Sequence, residues 1–181
     1  GILTSKGRTY FACIPHIWTL RDKDGDGVAE EKTSLFEGFG TRVSISGHDL
    51  NGFALGPDGR LYGTIGDRSM RVTSKEGKEF FLQNQGAVFR FDPDGSNFET
   101  IHTGLRNPKE IAFDQWGNAV TVDNNSDQGD QARLVYIMEG ADTGWRVGHQ
   151  NLHTFHKQLG YEKRPINQWM QEKQWAPQND L

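Results

Sequence analysis

A histidine and a carboxylate flank a predicted β-hairpin, and together they could move a proton. His48 lies in the segment G-H-D-L-N-G before the hairpin, and Asp67 ends the segment G-T-I-G-D that follows it. Imidazole titrates near neutral pH, and a carboxylate on one ring nitrogen fixes the tautomer and stabilises the protonated ring. The pattern predicts His48 as a general base that Asp67 orients. The alternative is a loop histidine with a structural role.

An acidic, glycine-rich segment, D-K-D-G-D-G-V-A-E at 22–30, carries oxygen ligands at alternate positions. Carboxylates that alternate around a turn glycine, followed by a backbone carbonyl, match the oxygen cage that Ca²⁺ prefers. Thr33 stands where an EF-hand has its bidentate Glu, and the runs 17–20 and 33–36 indicate strands. A calcium-binding hairpin is therefore favoured, with a solvated Asp-Gly turn as the alternative. The predicted ligands are Asp22, Asp24, Asp26, Glu30 and the carbonyl of Val28.

Two further polar segments flank another predicted inner strand. Arg106 and Asn107 precede this strand and offer a planar cation and an amide that could bind the carboxylates of a ligand. The run D-N-N-S-D-Q-G-D at 123–130 follows the strand and is too polar for a core. It could bind a cation through carboxylate and backbone oxygens, or it could be a solvated loop.

An internal repeat indicates the elements that must position these residues. The segment 54–64 matches the segment 112–122, and each contains an apolar strand, a glycine-containing turn and a second apolar strand. A third hairpin lies between them at 87–101. Repeated short antiparallel strands are typical of β-propeller blades, and about two or three blades fit within 9–148. We therefore expect an all-β fold and, since a propeller closes only with a full ring of blades, part of a larger protein.

The pattern changes after Gly148, where glycines nearly vanish and apolar residues recur at roughly helical spacing. We expect a partial propeller over 1–150 and a helical segment over 151–181 that leads to a further blade. Three histidines at helical spacing could bind a metal or could form a polar helix surface. They are His149, His153 and His156.

The composition sets broad limits on the partners. The chain has 181 residues, 22 glycines and 34% hydrophobic residues, which favours β structure in one domain. Its formal net charge is -4 and its basic residues are scattered, so we expect no nucleic-acid partner. No apolar run approaches the ~20 residues that cross a bilayer, so we expect no membrane contact from this segment. Cys13 is the single cysteine and excludes an internal disulfide.

Four motifs in the same order, between residues 38 and 148, resemble the soluble quinoprotein glucose and sorbosone dehydrogenase family. They are the segment 47–67, G-L-R-N-P-K-E-I-A-F-D at 104–114, D-N-N-S-D-Q-G-D at 123–130, and G-A-D-T-G-W at 140–145. The chain looks most similar to the dehydrogenase-like propellers of planctomycete-type bacteria. The resemblance implies a six-bladed β-propeller of which this chain is about two to three blades.

The resemblance also implies an activity. In quinoprotein members a histidine in the position of His48 removes the proton of a sugar hydroxyl while hydride passes to the cofactor PQQ, and Asp67 would orient that histidine. Arg106 and Asn107 match the family's R-N-P element that contacts the quinone. The family further implies a periplasmic or extracellular location and, in many members, a haem-containing electron-acceptor domain outside this chain.

The family's PQQ-bound Ca²⁺ is held by backbone carbonyls, and Asn125 and Ser126 fall at their position. The family commonly carries Gly-Pro at the positions of Asn125 and Ser126.

Two functions remain open. One is a PQQ- and Ca²⁺-dependent oxidation of a sugar or related alcohol, and the other is a non-catalytic, calcium-stabilised propeller that binds carbohydrate or protein.

Overall fold

The computed structural model describes residues 1–44, 47–125 and 131–147, and regular structure in these ranges consists of β-strands. Within the same ranges no helix is long and apolar enough to cross a bilayer. The strands in chain order are β1 Ile2–Ser5, β2 Arg8–Cys13, β3 His16–Arg21, β4 Glu31–Glu37, β5 Leu50–Leu55, β6 Leu61–Ile65, β7 Met70–Thr73, β8 Glu79–Leu82, β9 Gly86–Phe91, β10 Glu99–Leu105, β11 Ile111–Phe113, β12 Ala119–Asp123, β13 Arg133–Tyr136 and β14 Ala141–Asp142.

The first blade is an antiparallel meander of the four strands β1 to β4. Its first turn, Lys6-Gly7, has positive φ at both residues, 49° and 72°. This is the two-residue hairpin whose twist matches that of the flanking strands. The acidic segment 22–30 connects β3 to β4, so the strands predicted on both sides of it are present.

The second blade consists of β5, β6, β9 and β10, with β14 pairing in parallel at the outer edge of β10. The strands β7 and β8 form a separate hairpin inserted between β6 and β9. The hairpin at 87–101 therefore does not belong to an additional blade. It completes the blade that begins with the segment 54–64.

Three strands of a third blade, β11, β12 and β13, form an antiparallel sheet. Its β11–β12 hairpin is the counterpart of β5–β6, as the repeat predicted. The first strands of the three blades lie side by side, and the backbone N–H of Gly52 donates to the carbonyl of Lys109 at 2.8 Å. The prediction of a partial β-propeller is confirmed. The predicted helical segment 151–181 and the three histidines at 149–156 lie outside the described residues.

Two apolar cores enclose the second blade. Strand β6 is buried at all five positions, and its side chains alternate between the two faces. Leu61 and Ile65 pack into a core shared with blade 1, which is rich in phenylalanine. Tyr62 packs into a smaller core shared with blade 3. Because both faces of blade 2 are covered, the ends of its strands are held firmly, and the predicted catalytic residues lie at one of these ends.

Candidate active site

The four side chains that the motifs single out meet at one end of blade 2. His48 precedes β5, Asp67 follows β6, and Arg106 and Asn107 lie between β10 and β11. Antiparallel pairing brings the start of β5, the end of β6 and the end of β10 to the same edge. The backbone N–H of Asp67 donates to the carbonyl of Arg106 at 2.8 Å, which joins the two segments directly.

His48, Asp67 and Trp145 form a buried hydrogen-bond chain. His48 Nδ1 lies 3.0 Å from Asp67 Oδ1, and Trp145 Nε1 donates to Asp67 Oδ2 at 2.9 Å. The exposed fractions are 8% for His48, 3% for Asp67 and 0% for Trp145. When Nδ1–H donates a hydrogen bond to this carboxylate, the basic nitrogen of the neutral ring is Nε2. None of the described residues bonds to Nε2, so this atom is available to a substrate.

Trp145 is a site residue that reasoning from the sequence missed. Its signal was the final tryptophan of the motif G-A-D-T-G-W, to which no role was assigned. By bonding the second oxygen of Asp67, Trp145 fixes the rotation of the carboxylate that faces His48. A side chain held in this way can orient the histidine, whereas a freely rotating carboxylate could not.

A glycine allows the close approach of these segments. A Cβ at position 66 would lie 2.5 Å from the carbonyl oxygen of His48 and 2.9 Å from Asn107 Oδ1. Both distances are shorter than real Cβ contacts, so a side chain here would push the histidine segment away from the end of β6. Gly66 therefore sets the spacing between the His48 backbone and the Arg106–Asn107 turn.

Asp123 holds the Arg106–Asn107 turn. The carboxylate is fully buried at the end of β12 and accepts the backbone N–H of Arg106 at 2.9 Å and that of Asn107 at 2.7 Å. Burial raises the pKa of Asp123 above its usual range, and the two N–H bonds oppose that rise. Neither interpretation of the run 123–130, as a cation site or a solvated loop, describes this first residue. Asp123 positions the turn.

The side chain of Arg106 is almost completely buried, with 3% exposed. Its guanidinium carbon lies 5.4 Å from the centre of a Trp145 ring, a cation–π contact. Its Nη1 donates to the carbonyl of Asn125 at 2.5 Å. The carbonyl predicted to hold a cofactor-bound Ca²⁺ thus already accepts a hydrogen bond from Arg106, while Ser126 lies outside the described residues.

Asn51 and Lys109 complete the wall of the site, and neither was singled out from the sequence. Asn51 Nδ2 donates to Asn107 Oδ1 at 3.1 Å and to the carbonyl of Pro108 at 2.8 Å. Lys109 Nζ donates to the carbonyl of Gly47 at 2.6 Å, and burial lowers the pKa of this lysine. These bonds attach Asn51 of β5, and Gly47 just before β5, to the segment before β11, so His48 and Asn107 keep a fixed relation.

The acidic loop 22–30 lies at the other end of the blades, because it follows β3 whereas the start of β5 follows β4. Both oxygens of Asp22 accept backbone N–H groups, from Gly25 at 2.6 Å and Gly27 at 2.9 Å, and these bonds lower the pKa of Asp22. Four exposed carboxylates each offer an oxygen within 4.8 Å of the others. They are Asp22, Asp24, Asp26 and Glu30.

Comparison with known proteins places this fold among β-propellers and the chain within one family. The family model for a domain of unknown function, DUF7133, matches residues 1–175, and the chain belongs to this family. A comparison with curated protein sequences gives no match.

Solved structures of two sugar dehydrogenases are similar in fold. The PQQ-bound aldose sugar dehydrogenase of Streptomyces coelicolor aligns with a TM-score of 0.55 and 21% identity over 76% of this chain and 42% of that chain. A glucose dehydrogenase aligns with a TM-score of 0.60 and 20% identity over 80% of this chain and 48% of that chain. The resemblance predicted from the motifs is confirmed for the fold, and the chain spans less than half the length of these proteins.

Proposed function

We propose that the complete protein containing this chain oxidises an aldose sugar or a related alcohol with the help of PQQ and Ca²⁺, and that His48 is the general base. The observation that carries the proposal is the buried chain His48–Asp67–Trp145 beside the guanidinium of Arg106. The similarity in fold to solved sugar dehydrogenases supports it. We also propose a periplasmic or extracellular location and a haem-containing electron acceptor outside this chain.

The chain's own part in the reaction is to take and hold a proton. His48 Nε2 would accept the proton of the substrate hydroxyl, since Nδ1 is already bonded to Asp67. The imidazolium that results would be stabilised by the Asp67 carboxylate, and Trp145 keeps that carboxylate in place. PQQ, when bound, would supply a two-electron acceptor for the hydride from the substrate carbon.

The residues around His48 fit such a cofactor in their chemistry. Arg106 and Asn107 would hold it, because a cation and an amide suit the carboxylates and quinone oxygens of PQQ. The side-chain oxygen of Asn124 is buried and accepts no hydrogen bond among the described residues. A neutral oxygen of this kind suits a hard cation, so we propose Asn124 Oδ1 as a Ca²⁺ ligand together with the carbonyls of Asn125 and Ser126. The carbonyl of Asn125 accepts from Arg106 Nη1, so it would bind Ca²⁺ through its second lone pair.

A non-catalytic propeller that binds carbohydrate or protein is the second candidate, and one observation favours it. Arg106 is engaged within the protein by Trp145 and by the carbonyl of Asn125. An arginine bonded in this way could stabilise the fold without binding a ligand. The two candidates differ in whether the protein binds PQQ.

The test is reconstitution of the complete protein with PQQ and Ca²⁺. We expect saturable PQQ binding, followed by bleaching of the oxidised quinone absorbance when an aldose is added, because hydride transfer reduces the bound cofactor. An addition of Ca²⁺ and aldose without PQQ is the control. A protein that binds no PQQ, or binds it without reduction by any sugar or alcohol, would be the non-catalytic propeller.

We further propose that the acidic loop 22–30 binds Ca²⁺ independently of the cofactor. Calcium should raise the unfolding temperature, because an ion that binds only the folded state stabilises it by about 2.7 kcal/mol at 100 times its Kd. Asp24→Asn removes one charge from the cluster and should weaken the binding measured by calorimetry roughly tenfold or more. Calcium–oxygen distances in a crystal should be about 2.3–2.6 Å.

The matched control is Asp114→Asn, which changes an exposed turn carboxylate of blade 3 that lies outside the cluster. It should leave calcium binding unchanged. If Ca²⁺ does not alter the unfolding temperature of the wild type, or if both variants respond alike, the loop is a solvated turn.

A further inference from the structure

Three side chains on one wall of the candidate active site form a hydrogen-bond chain, which we call the amide relay. Lys109 Nζ donates to Asn51 Oδ1 at 3.2 Å, and Asn51 Nδ2 donates to Asn107 Oδ1 at 3.1 Å. An amide side chain can turn either its oxygen or its nitrogen toward a neighbour. The partners of each amide therefore decide whether the site offers a ligand a donor or an acceptor.

Two neighbours fix the orientation of the Asn51 amide. The ammonium group of Lys109 has only donors, so the atom of Asn51 that faces it must be the oxygen. The carbonyl of Pro108 only accepts, so the atom of Asn51 that lies 2.8 Å from it must be the nitrogen. Both conditions give the same orientation. A reversed amide would place two donors together at Lys109 and two acceptors together at Pro108.

The orientation of Asn107 follows from that of Asn51. Because Asn51 presents its NH₂ group, Asn107 must answer with its oxygen. Asn107 cannot move away, since its own backbone N–H is bonded to Asp123 at 2.7 Å and its side chain is only 4% exposed. A reversed Asn107 would set two NH₂ groups against each other in a buried place, which is unfavourable.

The relay leaves one polar atom of Asn107 unpaired, the nitrogen Nδ2. No described residue accepts a hydrogen bond from Nδ2, and this atom is not among the unpaired polar atoms that are sealed from solvent. Gly66 lies between the backbone of His48 and the side chain of Asn107. Two buried side chains therefore each present one unpaired atom to the site, an acceptor from His48 and a donor from Asn107.

We infer that Asn51 is a positioning residue, which fixes Asn107 as a hydrogen-bond donor to the ligand. Lys109 and Pro108 hold Asn51 in the orientation that this role requires. The position next to Asn107 then takes a ligand oxygen that carries no hydrogen, such as a quinone carbonyl or a carboxylate. The choice of PQQ as the ligand rests on the proposed function, whereas the orientation of the two amides does not.

Hydrogen exchange tests the orientation of the amides in the complete protein without cofactor. The protein is labelled with ¹⁵N-asparagine, and the two NH₂ signals are assigned by their loss in Asn51→Leu and in Asn107→Leu. We expect the NH₂ hydrogens of Asn107 to exchange with water at least about tenfold faster than those of Asn51, which are bonded to two acceptors. Equal rates, or slower exchange at Asn107, would overturn the inference.

Titration with PQQ in the presence of Ca²⁺ and without substrate tests the effect on the ligand. Asn51→Asp replaces the donor that faces Asn107 with an oxygen, so Asn107 should turn its NH₂ group toward the new carboxylate and its oxygen toward the ligand. We expect the Kd for PQQ to rise about 10- to 100-fold, because a donor contact becomes a contact between two acceptors. Asn51→Leu removes the fixed orientation without reversing it and should cause a smaller rise.

Lys109→Gln is the charge-matched control, because it also lowers the net charge of this wall by one. Pro108 still holds Asn51 in this variant, and the new amide can donate to Asn51 Oδ1, so the Kd should rise about threefold or less. Lys32→Gln should leave the Kd unchanged, since Lys32 lies over the Trp18 ring in blade 1. The unfolding temperature of each variant shows that it is folded.

The two measurements separate this inference from the proposed function. If the wild type binds no PQQ, the proposed function fails, and the exchange rates alone decide the orientation of the amides. If the wild type binds PQQ, an unchanged Kd in Asn51→Asp, or a rise equal to that in Lys109→Gln, would remove Asn51 from the role of positioning residue.

Discussion

Replacing His48 with alanine should lower kcat for sugar oxidation by about 10²–10⁴ in the complete protein reconstituted with PQQ and Ca²⁺. The reason is that the substrate hydroxyl would lose its proposed proton acceptor, the Nε2 atom of His48. Asp67 is engaged by both oxygens, one with His48 and one with Trp145. Binding of PQQ should persist, because its proposed contacts are Arg106 and Asn107.

The measurement is steady-state turnover with a dye acceptor, with PQQ content determined for each variant. His16→Ala is a suitable control, because His16 lies on β3 of blade 1 and bonds through Nδ1 to Ser34 Oγ at 2.9 Å without touching the site. It should leave kcat unchanged. An active His48→Ala variant with full PQQ content would remove His48 from the role of general base.

Asp123→Ala should lower the free energy of unfolding by about 2–5 kcal/mol. The substitution leaves the buried N–H groups of Arg106 and Asn107 without their acceptor, and each such loss costs about 1–3 kcal/mol. Arg133 Nη2, 3.7 Å from Asp123 Oδ2, also loses a neighbouring charge. Asp123→Asn keeps one acceptor oxygen and should cost roughly half as much.

Denaturant unfolding with a common slope for all variants measures this effect. Glu79→Ala is the control, because it breaks an exposed ion pair with Arg71 at 2.9 Å. Such pairs contribute about 0–1 kcal/mol, so the control should be close to the wild type. If Asp123→Ala is no less stable than Glu79→Ala, the carboxylate does not hold the turn as the hydrogen bonds indicate.

The local features of this protein follow from its sequence because short-range chemistry decides them. The hairpins at 54–64 and 112–122 could be predicted from turn residues and alternating apolar residues, since both act within a few positions along the chain. The repetition of this hairpin pattern indicated β-propeller blades for the same reason. The pairing of His48 with Asp67 was also predictable, because a single hairpin joins the two residues and antiparallel strands bring its ends together.

The tertiary structure alone decided which hairpins share a blade and which side chains complete the sites. The hairpin at 87–101 joins blade 2 because β9 pairs with β6, a choice made by burial on both faces rather than by local propensity. Trp145 reaches Asp67 across 78 residues, and Asp123 bonds the turn at 106–107 from the end of another strand. Contacts between distant strands form only when the sheets pack. No local pattern in the sequence shows which polar atoms will be buried and will therefore need a hydrogen-bond partner.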